Sequence, residues 1–316
     1  MYYLGIDLGG TFIKAGIVDE NGKIIHKDSL STEVSQGVDH VSERMAEIAL
    51  RVIGNSGLSV ADIEYAGVAS PGSADCGNGI MIYCSSIPFL NYPLARKIAD
   101  LTGIKKVYIE NDANAAAKGE SAVGRAKGYG NSIMITIGTG IGGGIIIDGK
   151  IYTGFNFAAA EVGHMVIDPS GPECQCGRKG CWETLSSATA LIRMAREEMA
   201  QHPDSIMWKL CGNNLSAVDA RVPFDAKRAG DASGIRVVEK FTYYLACGLT
   251  NLIDLLQPEI ITVGGGVSNE GDYLLEPVRK IVEKEQYSRH CENKTLIVKA
   301  FLGNDAGMIG AAMLGK

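Results

Sequence analysis

The chain has 316 residues, of which 46% are hydrophobic and 21% charged, a composition typical of a globular protein long enough for two domains. Its net charge of −6 and the lack of a lysine- or arginine-rich run argue against a nucleic-acid partner. No apolar run reaches the ~18 residues that a membrane span needs, and the N-terminus has no basic, apolar leader, so we expect no membrane association.

Short strands and glycine turns alternate in the first part of the chain. A strand over residues 2–8 ends in glycines, and two further strands flank Asn21-Gly22, a strong hairpin signal. Apolar residues at helical spacing over 38–53 predict a helix. The pattern continues with a strand at 65–69, the turn Ser70-Pro71-Gly72, a helix near 94–102, a strand at 107–109 and an alanine-rich helix at 113–122.

The second half of the chain repeats this order in part. We predict a strand at 132–137, a turn over Gly138–Gly144, and returning strands at 145–147 and 150–152. Since residues 4–25 show the same succession, the weak repeat predicts two similar subdomains. The remaining predicted elements are helices at 186–200 and 235–256, a strand at 260–263 before Gly264-Gly265-Gly266, a strand at 295–301 and a helix at 305–314.

One histidine and three cysteines fall within eighteen residues, with glycines among them that favour tight turns. They are His164, Cys174, Cys176 and Cys181. Cys3His is a common ligand set for structural zinc, so the spacing predicts a zinc site, and the alternative is a cluster of reduced thiols without metal. The other five cysteines are scattered, which fits a reducing cytoplasm.

Three glycine turns each follow a predicted strand. Backbone N–H groups in such turns commonly face an anion, most often phosphate. The second turn matches G-x-G-x-x-G, but a dinucleotide fingerprint opens a helix, whereas here a strand follows. We therefore predict two phosphate-binding hairpins, called below the first clasp (Gly9-Gly10-Thr11) and the second clasp (Gly138-Thr139-Gly140), which could grip one polyphosphate from both sides. The alternative is that each is only a tight turn.

Two aspartates stand where predicted strands end. Asp7 ends the first strand, and Asp112 follows the strand at 107–109. Site residues of open α/β sheets usually lie at such strand ends. Asp112 also precedes a helix, so its alternative role is a helix N-cap.

The chain resembles, over its whole length, the ROK family of sugar kinases. Six motifs carry the resemblance: Asp7-Leu8-Gly9-Gly10-Thr11, Asn111-Asp112-Ala113-Asn114-Ala115, Gly138-Thr139-Gly140-Ile141-Gly142, Glu161-Val162-Gly163-His164, Cys174-Gln175-Cys176-Gly177-x-x-Gly180-Cys181-x-Glu183 and Gly264-Gly265-Gly266-Val267. It implies an α/β fold of two actin-like (ribonuclease H-like) domains with an interdomain cleft. We expect a smaller N-terminal domain of residues 1–118 plus 303–316 and a larger domain of residues 119–302 with the zinc motif.

The resemblance also implies roles for single residues. Asp112 is implied to be the general base that takes the proton of a sugar hydroxyl. The residues implied to bind the sugar are Gly72, Asn91, Asn111, Asp112, Glu161, His164 and Glu183. Those implied to bind ATP are Asp7, Gly9, Gly10, Thr11, Lys14, Gly138, Thr139, Gly140, Gly265 and Gly266, with Asp7 orienting Mg²⁺ through water. The implied ligands of a structural Zn²⁺ are His164, Cys174, Cys176 and Cys181.

The implied activity is ATP-dependent phosphorylation of a hexose, and we expect glucose, phosphorylated at its 6-hydroxyl, as in glycolysis. The alternative inside the family is an N-acetylmannosamine or N-acetylglucosamine kinase. A sugar-responsive repressor of the family would carry a DNA-binding domain ahead of the first clasp, where only six residues precede Asp7. Phe12, Phe89 and Ala160 depart from the family pattern and leave the sugar open. The family also implies a homodimer or homotetramer, in the cytoplasm.

The spacing of the zinc motif predicts what the metal does. His164 lies three residues after Glu161, and Cys181 two residues before Glu183. The metal therefore lies between two carboxylates implied to hold the sugar, and it is distant in sequence from both clasps. We expect loss of the metal to weaken sugar binding and to leave ATP binding nearly unchanged.

Overall fold

The protein, described here over all 316 residues from a computed structural model, contains thirteen strands and ten α-helices. The strands are β1 (Tyr2–Leu8), β2 (Phe12–Asp19), β3 (Ile24–Ser31), β4 (Ile63–Ser70), β5 (Ser73–Asp75), β6 (Ile80–Tyr83), β7 (Leu90–Tyr92), β8 (Val107–Asn111), β9 (Ser132–Ile137), β10 (Ile141–Ile147), β11 (Lys150–Ile151), β12 (Ile260–Gly264) and β13 (Leu296–Lys299). The helices are α1 (Val38–Asn55), α2 (Leu94–Thr102), α3 (Asp112–Val123), α4 (Trp182–Ser186), α5 (Ala188–Gln201), α6 (Met207–Leu210), α7 (Val222–Arg228), α8 (Ala232–Leu256), α9 (Asp272–Glu285) and α10 (Ala306–Ala312).

The first sheet has the strand order β3-β2-β1-β4-β8. Strands β1, β2 and β3 pair antiparallel, whereas β4 is parallel to both β1 and β8. Leucine, isoleucine and valine side chains of β1, β2 and β4 pack against α1 and α2, and Tyr3 and Tyr65 pack with α10. Because β1, β4 and β8 are parallel, their carboxyl ends meet at one edge of the sheet, and the predicted site residues of this sheet lie at that edge.

The second sheet has the order β11-β10-β9-β12-β13, which repeats the order of the first. Strands β10 and β11 pair antiparallel, and β12 and β13 pair parallel. The internal repeat predicted from the sequence is therefore confirmed as two similar sheets. In both sheets a glycine–threonine turn joins the first two strands.

The predicted turn at 138–144 is too long. Strand β10 begins at Ile141, so only the second clasp itself forms the turn. The strand tolerates glycine because α3 packs directly against it: a Cβ at Gly144 would lie 2.6 Å from the Ala113 carbonyl oxygen. Glycine here permits close approach of a helix and does not extend the turn.

The three-stranded sheet β5-β6-β7 was not predicted from the sequence. Its strands have three or four residues each, too few for a clear alternation of apolar and polar positions. This small sheet matters for the site, because it begins just after Gly72 and contains Asn91.

The chain divides into two compact units. The first comprises residues 1–134, 144–160 and 300–316, and the second comprises residues 135–143 and 161–299. The two actin-like domains expected at residues 1–118 plus 303–316 and at residues 119–302 stay a prediction. None of the helices combines the length and apolar character that a bilayer span requires.

Candidate active site

Strand β8 and helix α3 meet at the predicted base. Asn111, and not Asp112, is the N-cap of α3: its side-chain oxygen accepts hydrogen bonds from the N–H groups of Ala113 (2.9 Å) and Asn114 (3.2 Å). The capping role weighed for Asp112 is therefore wrong, since Asp112 is already the first helical residue. Its Oδ1 also accepts from Ala113 N–H at 2.9 Å. Burial raises the pKa of Asp112 above its ordinary value, although the donors at Ala113 and Asn111 lower it in part.

A buried glutamate holds this strand end in place. Glu110 is only 5% exposed. Its Oε1 accepts from Asn111 N–H (2.9 Å) and from Asn114 Nδ2 (3.1 Å), and its Oε2 accepts from the Cys76 thiol (3.0 Å). A buried carboxylate with three donors is well satisfied, so Glu110 fixes the backbone that presents Asp112.

The Ser70-Pro71-Gly72 turn lies beside the same strand end. The side-chain amide of Asn111 donates to the Gly72 carbonyl at 3.1 Å, and Ser70 pairs with Asn111 in the sheet register. Gly72 has φ +96°, and a Cβ there would lie 2.2 Å from the Tyr83 carbonyl oxygen, so both conformation and space require glycine. Asn91, in β7, is exposed and has φ +47°.

The first clasp begins two residues after Asp7. The turn closes on itself, because Gly9 N–H donates to the Phe12 carbonyl at 2.9 Å. Lys14 lies opposite Asp7 in the β1–β2 register, and its ammonium group donates to the Asn304 carbonyl at 3.2 Å. Burial raises the pKa of Asp7 to about 6; the Lys14 charge lowers it and the Asp112 and Asp305 charges raise it further. The structure thus brings Asp7, Lys14 and the first clasp together.

The second clasp lies at the end of β9, in the second unit. Gly138 N–H donates to the Gly140 carbonyl at 3.0 Å. The third glycine turn packs beside it, since Gly265, with φ +83°, lies against the backbone of Ile137. Gly266 has open space around it. The backbone of the second unit therefore offers two adjacent glycine turns.

The four predicted zinc ligands come together. Their ligand atoms all lie within 4.8 Å of one another, with Cys174 Sγ at 3.6 Å from His164 Nδ1 and Cys176 Sγ at 3.5 Å from Cys181 Sγ. Zn–S and Zn–N bonds of about 2.3 and 2.0 Å in a tetrahedron place ligand atoms roughly 3.3–3.8 Å apart. The donor set suits a tetrahedral Zn²⁺, and the His164–Cys174 and Cys176–Cys181 distances lie in this range. All eight cysteines are free.

Of the residues implied to bind sugar, His164 belongs to this cluster and Glu183 contacts it. Glu183 Oε1 lies 3.6 Å from His164 Nδ1 and 3.1 Å from Cys174 Sγ, so Nδ1 faces the cluster and Nε2 is left for another partner. Glu161 is exposed, and its backbone carbonyl accepts from His164 N–H at 3.1 Å. A metal here would orient His164 as its ligand, and Glu183 through its contacts with His164 and Cys174.

The zinc motif is distant from the second clasp along the sequence but lies beside it in space. A Cβ at Gly140 would lie 2.5 Å from Glu183 Oε2, so the second clasp packs directly against a side chain of the zinc motif. Helices α4 and α5, which follow Cys181 without a break, also reach the clasp: Ala188 N–H donates to the Gly138 carbonyl at 2.9 Å. Distance along the sequence did not translate into distance in space.

Three side chains that support the site were not among the predicted site residues: Glu110, described above, and Thr32 and Thr189, whose hydroxyls donate to clasp carbonyls. No motif marks either threonine. The partners are 23 residues apart for Thr32 and Gly9 and 50 apart for Thr189 and Thr139. Only strand pairing and helix docking bring them together.

Comparisons with known proteins agree with this geometry. The family model described as "ROK family" matches residues 3–316. A glucokinase of Thermotoga maritima is 39% identical over 99% of this chain and 96% of its own length. A glucokinase of Halalkalibacterium halodurans is 35% identical over 100% and 95%. Among solved structures, a ROK family glucokinase from Streptomyces griseus, in complex with glucose and AMPPNP, is 33% identical, covers 99% of both chains and has a TM-score of 0.83.

Proposed function

The chain belongs to the ROK family, and from this premise we propose that it transfers the γ-phosphoryl group of ATP to the 6-hydroxyl of glucose. It is an ATP-dependent sugar kinase with the two-domain actin-like fold of that family. The observation that carries the proposed chemistry is Asp112, a carboxylate of raised pKa held at the end of β8 by Glu110 and Asn111.

Asp112 is assigned to accept the proton of the attacking hydroxyl. Phosphoryl transfer requires mainly positioning and charge stabilisation, together with a base for the nucleophile. A raised pKa makes a carboxylate a better base, provided it remains ionised at working pH. Because Oδ1 is engaged by Ala113 N–H, Oδ2 is the oxygen available to the hydroxyl.

The two clasps are assigned to the phosphates. The N–H groups of Gly10, Thr139 and Gly140 donate to no acceptor within the protein, which suits them for phosphate oxygens. Mg²⁺, when bound with ATP, would neutralise phosphate charge. Asp7 and Lys14 are proposed at the same end of the nucleotide, with Gly265 and Gly266 at the adenosine.

The hexose is assigned to Glu161, His164 and Glu183, with Asn111, Asn91 and the Gly72 turn. Charged acceptors suit a ring that offers many hydroxyl groups, and a site built to bond hydroxyls rejects sugars lacking them. Zn²⁺ in the Cys3His cluster is assigned a structural role, which holds His164 and Glu183 in place. These reduced thiols also fit the cytoplasmic location that we propose, and a homodimer or homotetramer stays a proposal that light scattering can test.

The test is a coupled assay of ADP release across a panel of hexoses. We expect glucose to give the highest kcat/KM, with 2-acetamido sugars at least about tenfold poorer, as for a pocket contact of a few kcal/mol. Asp112→Asn serves as the control for background ATP hydrolysis. A higher kcat/KM for N-acetylmannosamine than for glucose would instead select the second candidate, a 2-acetamido sugar kinase.

A further inference from the structure

A threonine outside the first clasp holds it from behind. The hydroxyl of Thr32 donates to the Gly9 carbonyl at 2.7 Å, and the N–H of the same residue donates to the Thr11 carbonyl at 2.9 Å. Thr32 follows β3 directly and is fully buried. One residue therefore grips both ends of the clasp through two hydrogen bonds.

The second clasp is held in the same manner from the start of α5. The hydroxyl of Thr189 donates to the Thr139 carbonyl at 2.8 Å, and the N–H of Ala188 donates to the Gly138 carbonyl at 2.9 Å. Thr189 is exposed and borders a cavity of about 400 Å³ that the clasp residues Thr139 and Gly140 also line. Different segments support the two clasps: the residue after β3 supports the first, and the start of α5 supports the second. In both clasps, however, a threonine hydroxyl donates a hydrogen bond to a clasp carbonyl.

Because the peptide group is planar, a hydrogen bond to a clasp carbonyl also orients the N–H group of the next residue. In a trans peptide the carbonyl of one residue and the N–H of the next lie in one plane and point in opposite directions. Fixing the Gly9 carbonyl therefore fixes the Gly10 N–H on the opposite side, and fixing the Thr139 carbonyl does the same for the Gly140 N–H. Those N–H groups donate to nothing in the protein.

We propose that Thr32 and Thr189 are positioning residues for nucleotide binding: each hydroxyl locks a clasp peptide so that its N–H faces the phosphate oxygens of ATP. The inference deepens the proposed function, on which it rests. Glycine clasps have an intrinsically mobile backbone, so a peptide without this lock can rotate and turn its N–H away. Preorganised donors are stronger than donors that must reorient on binding.

The isosteric substitution Thr→Val removes the hydroxyl and keeps the shape, whereas Thr→Ser keeps the hydroxyl. A hydrogen bond of ordinary strength changes an equilibrium roughly three- to tenfold. We expect Thr189→Val and Thr32→Val each to weaken AMPPNP binding and raise the KM for ATP by about that factor. The double variant should show roughly the product of the two effects, because the sites lie on separate clasps. Calorimetric Kd for glucose should stay within about twofold.

Two matched control variants distinguish the loss of clasp positioning from the general effect of removing a buried or half-buried threonine hydroxyl. Thr102 donates to the Ile98 carbonyl at 2.7 Å in the first unit, and Thr295 donates to the Pro258 carbonyl at 2.6 Å in the second. Thr102→Val and Thr295→Val should leave AMPPNP affinity unchanged at equal or greater cost in stability. The serine variants of Thr32 and Thr189 should recover most of the lost affinity.

The proposal is overturned if Thr189→Val binds AMPPNP as the wild type does, or if valine and serine variants are equally impaired. Equal loss of glucose and nucleotide binding would also overturn it, because that pattern indicates a structural defect. Thr32 is buried. If Thr32→Val does not fold for that reason, the Thr189→Val and Thr189→Ser variants, at an exposed position, decide the outcome. Failure of the proposed function is a separate result, namely wild-type protein that phosphorylates no hexose.

Discussion

Replacing Asp7 by asparagine should stabilise the nucleotide-free protein at neutral pH while it impairs the enzyme. The start of α10 covers Asp7: a Cβ at Gly307 would lie 2.8 Å from the carboxyl carbon. This burial, more than the nearby charges of Asp112 and Asp305, raises the pKa from 3.8 to about 6. An ionised carboxylate is therefore held in surroundings that favour its neutral form.

The magnitude follows from that shift. The folded protein binds the proton more tightly than the unfolded chain, so stability falls as the pH rises from about 4 to about 6 and the full cost applies above pH 6. A shift from 3.8 to about 6 corresponds to about 3 kcal/mol at pH 7. Asparagine must also lose water, and it leaves Lys14 without its charged neighbour, so we expect Asp7→Asn to raise the free energy of unfolding by about 1–3 kcal/mol at pH 7. Near pH 4 the gain should approach zero.

Guanidinium titrations without Mg²⁺ or nucleotide, at several pH values from 4 to 7.5, measure this difference. Asp148→Asn, at an exposed hairpin position, is the control and should follow the wild type at every pH. The kcat of Asp7→Asn should fall, and Mg·ATP should stabilise the wild type more than the variant. An Asp7→Asn protein that is less stable than the wild type at pH 7, or whose gain does not depend on pH, would refute the reasoning.

Three further predictions follow from the site. Asp112→Asn should lower kcat by roughly 10²–10⁴ with little change in glucose Kd, and the acidic limb of the wild-type pH profile should lie above the ordinary aspartate pKa; near-normal kcat would exclude Asp112 as the base. Elemental analysis should find one zinc per chain in the wild type and much less in Cys176→Ser, and this variant should bind both glucose and ATP more weakly because Glu183 packs against Gly140; full activity in zinc-free protein would contradict this. Ala160→Gly should stabilise the fold by roughly 0.5–1 kcal/mol in denaturant titrations, because Ala160 has φ +68° and the strain relieved exceeds the extra flexibility of glycine; lower stability would show that the strain is absent.

Asp7 and Asp112 lower the stability of the folded protein when they are ionised, because burial raises the pKa of both carboxyl groups. Both carboxylates stand at the carboxyl ends of parallel strands, where neighbouring strand ends and helix starts remove water. Active sites commonly keep such destabilising groups because the chemistry needs them. The expected gain in stability and loss of activity at Asp7 are two results of the same burial.

The sequence by itself determined much of this protein. Glycine–threonine turns between apolar runs predicted both clasps, and the C-x-C-x4-C spacing with an upstream histidine predicted a cluster that the structure assembles. These signals are local: a turn conformation or a ligand spacing depends on residues that are close along the chain. The order of six motifs along the sequence indicated the family, and the comparisons then established it.

Only the tertiary structure decided which side chains contact the clasps and the zinc motif. Thr32 and Thr189 reach their clasps through hydrogen bonds across 23 and 50 residues, and Glu183 meets Gly140 across 43 positions of sequence. Such contacts depend on the register of β2 with β3 and on the docking of α5, and neither is specified by the residue types at the contact. Asn111 rather than Asp112 caps α3 for a related reason, because the exact residue at which β8 ends is set by its pairing with β4. Motif spacing predicts the groups that carry the chemistry. The neighbours that orient these groups depend on tertiary packing, to which residues along the whole chain contribute.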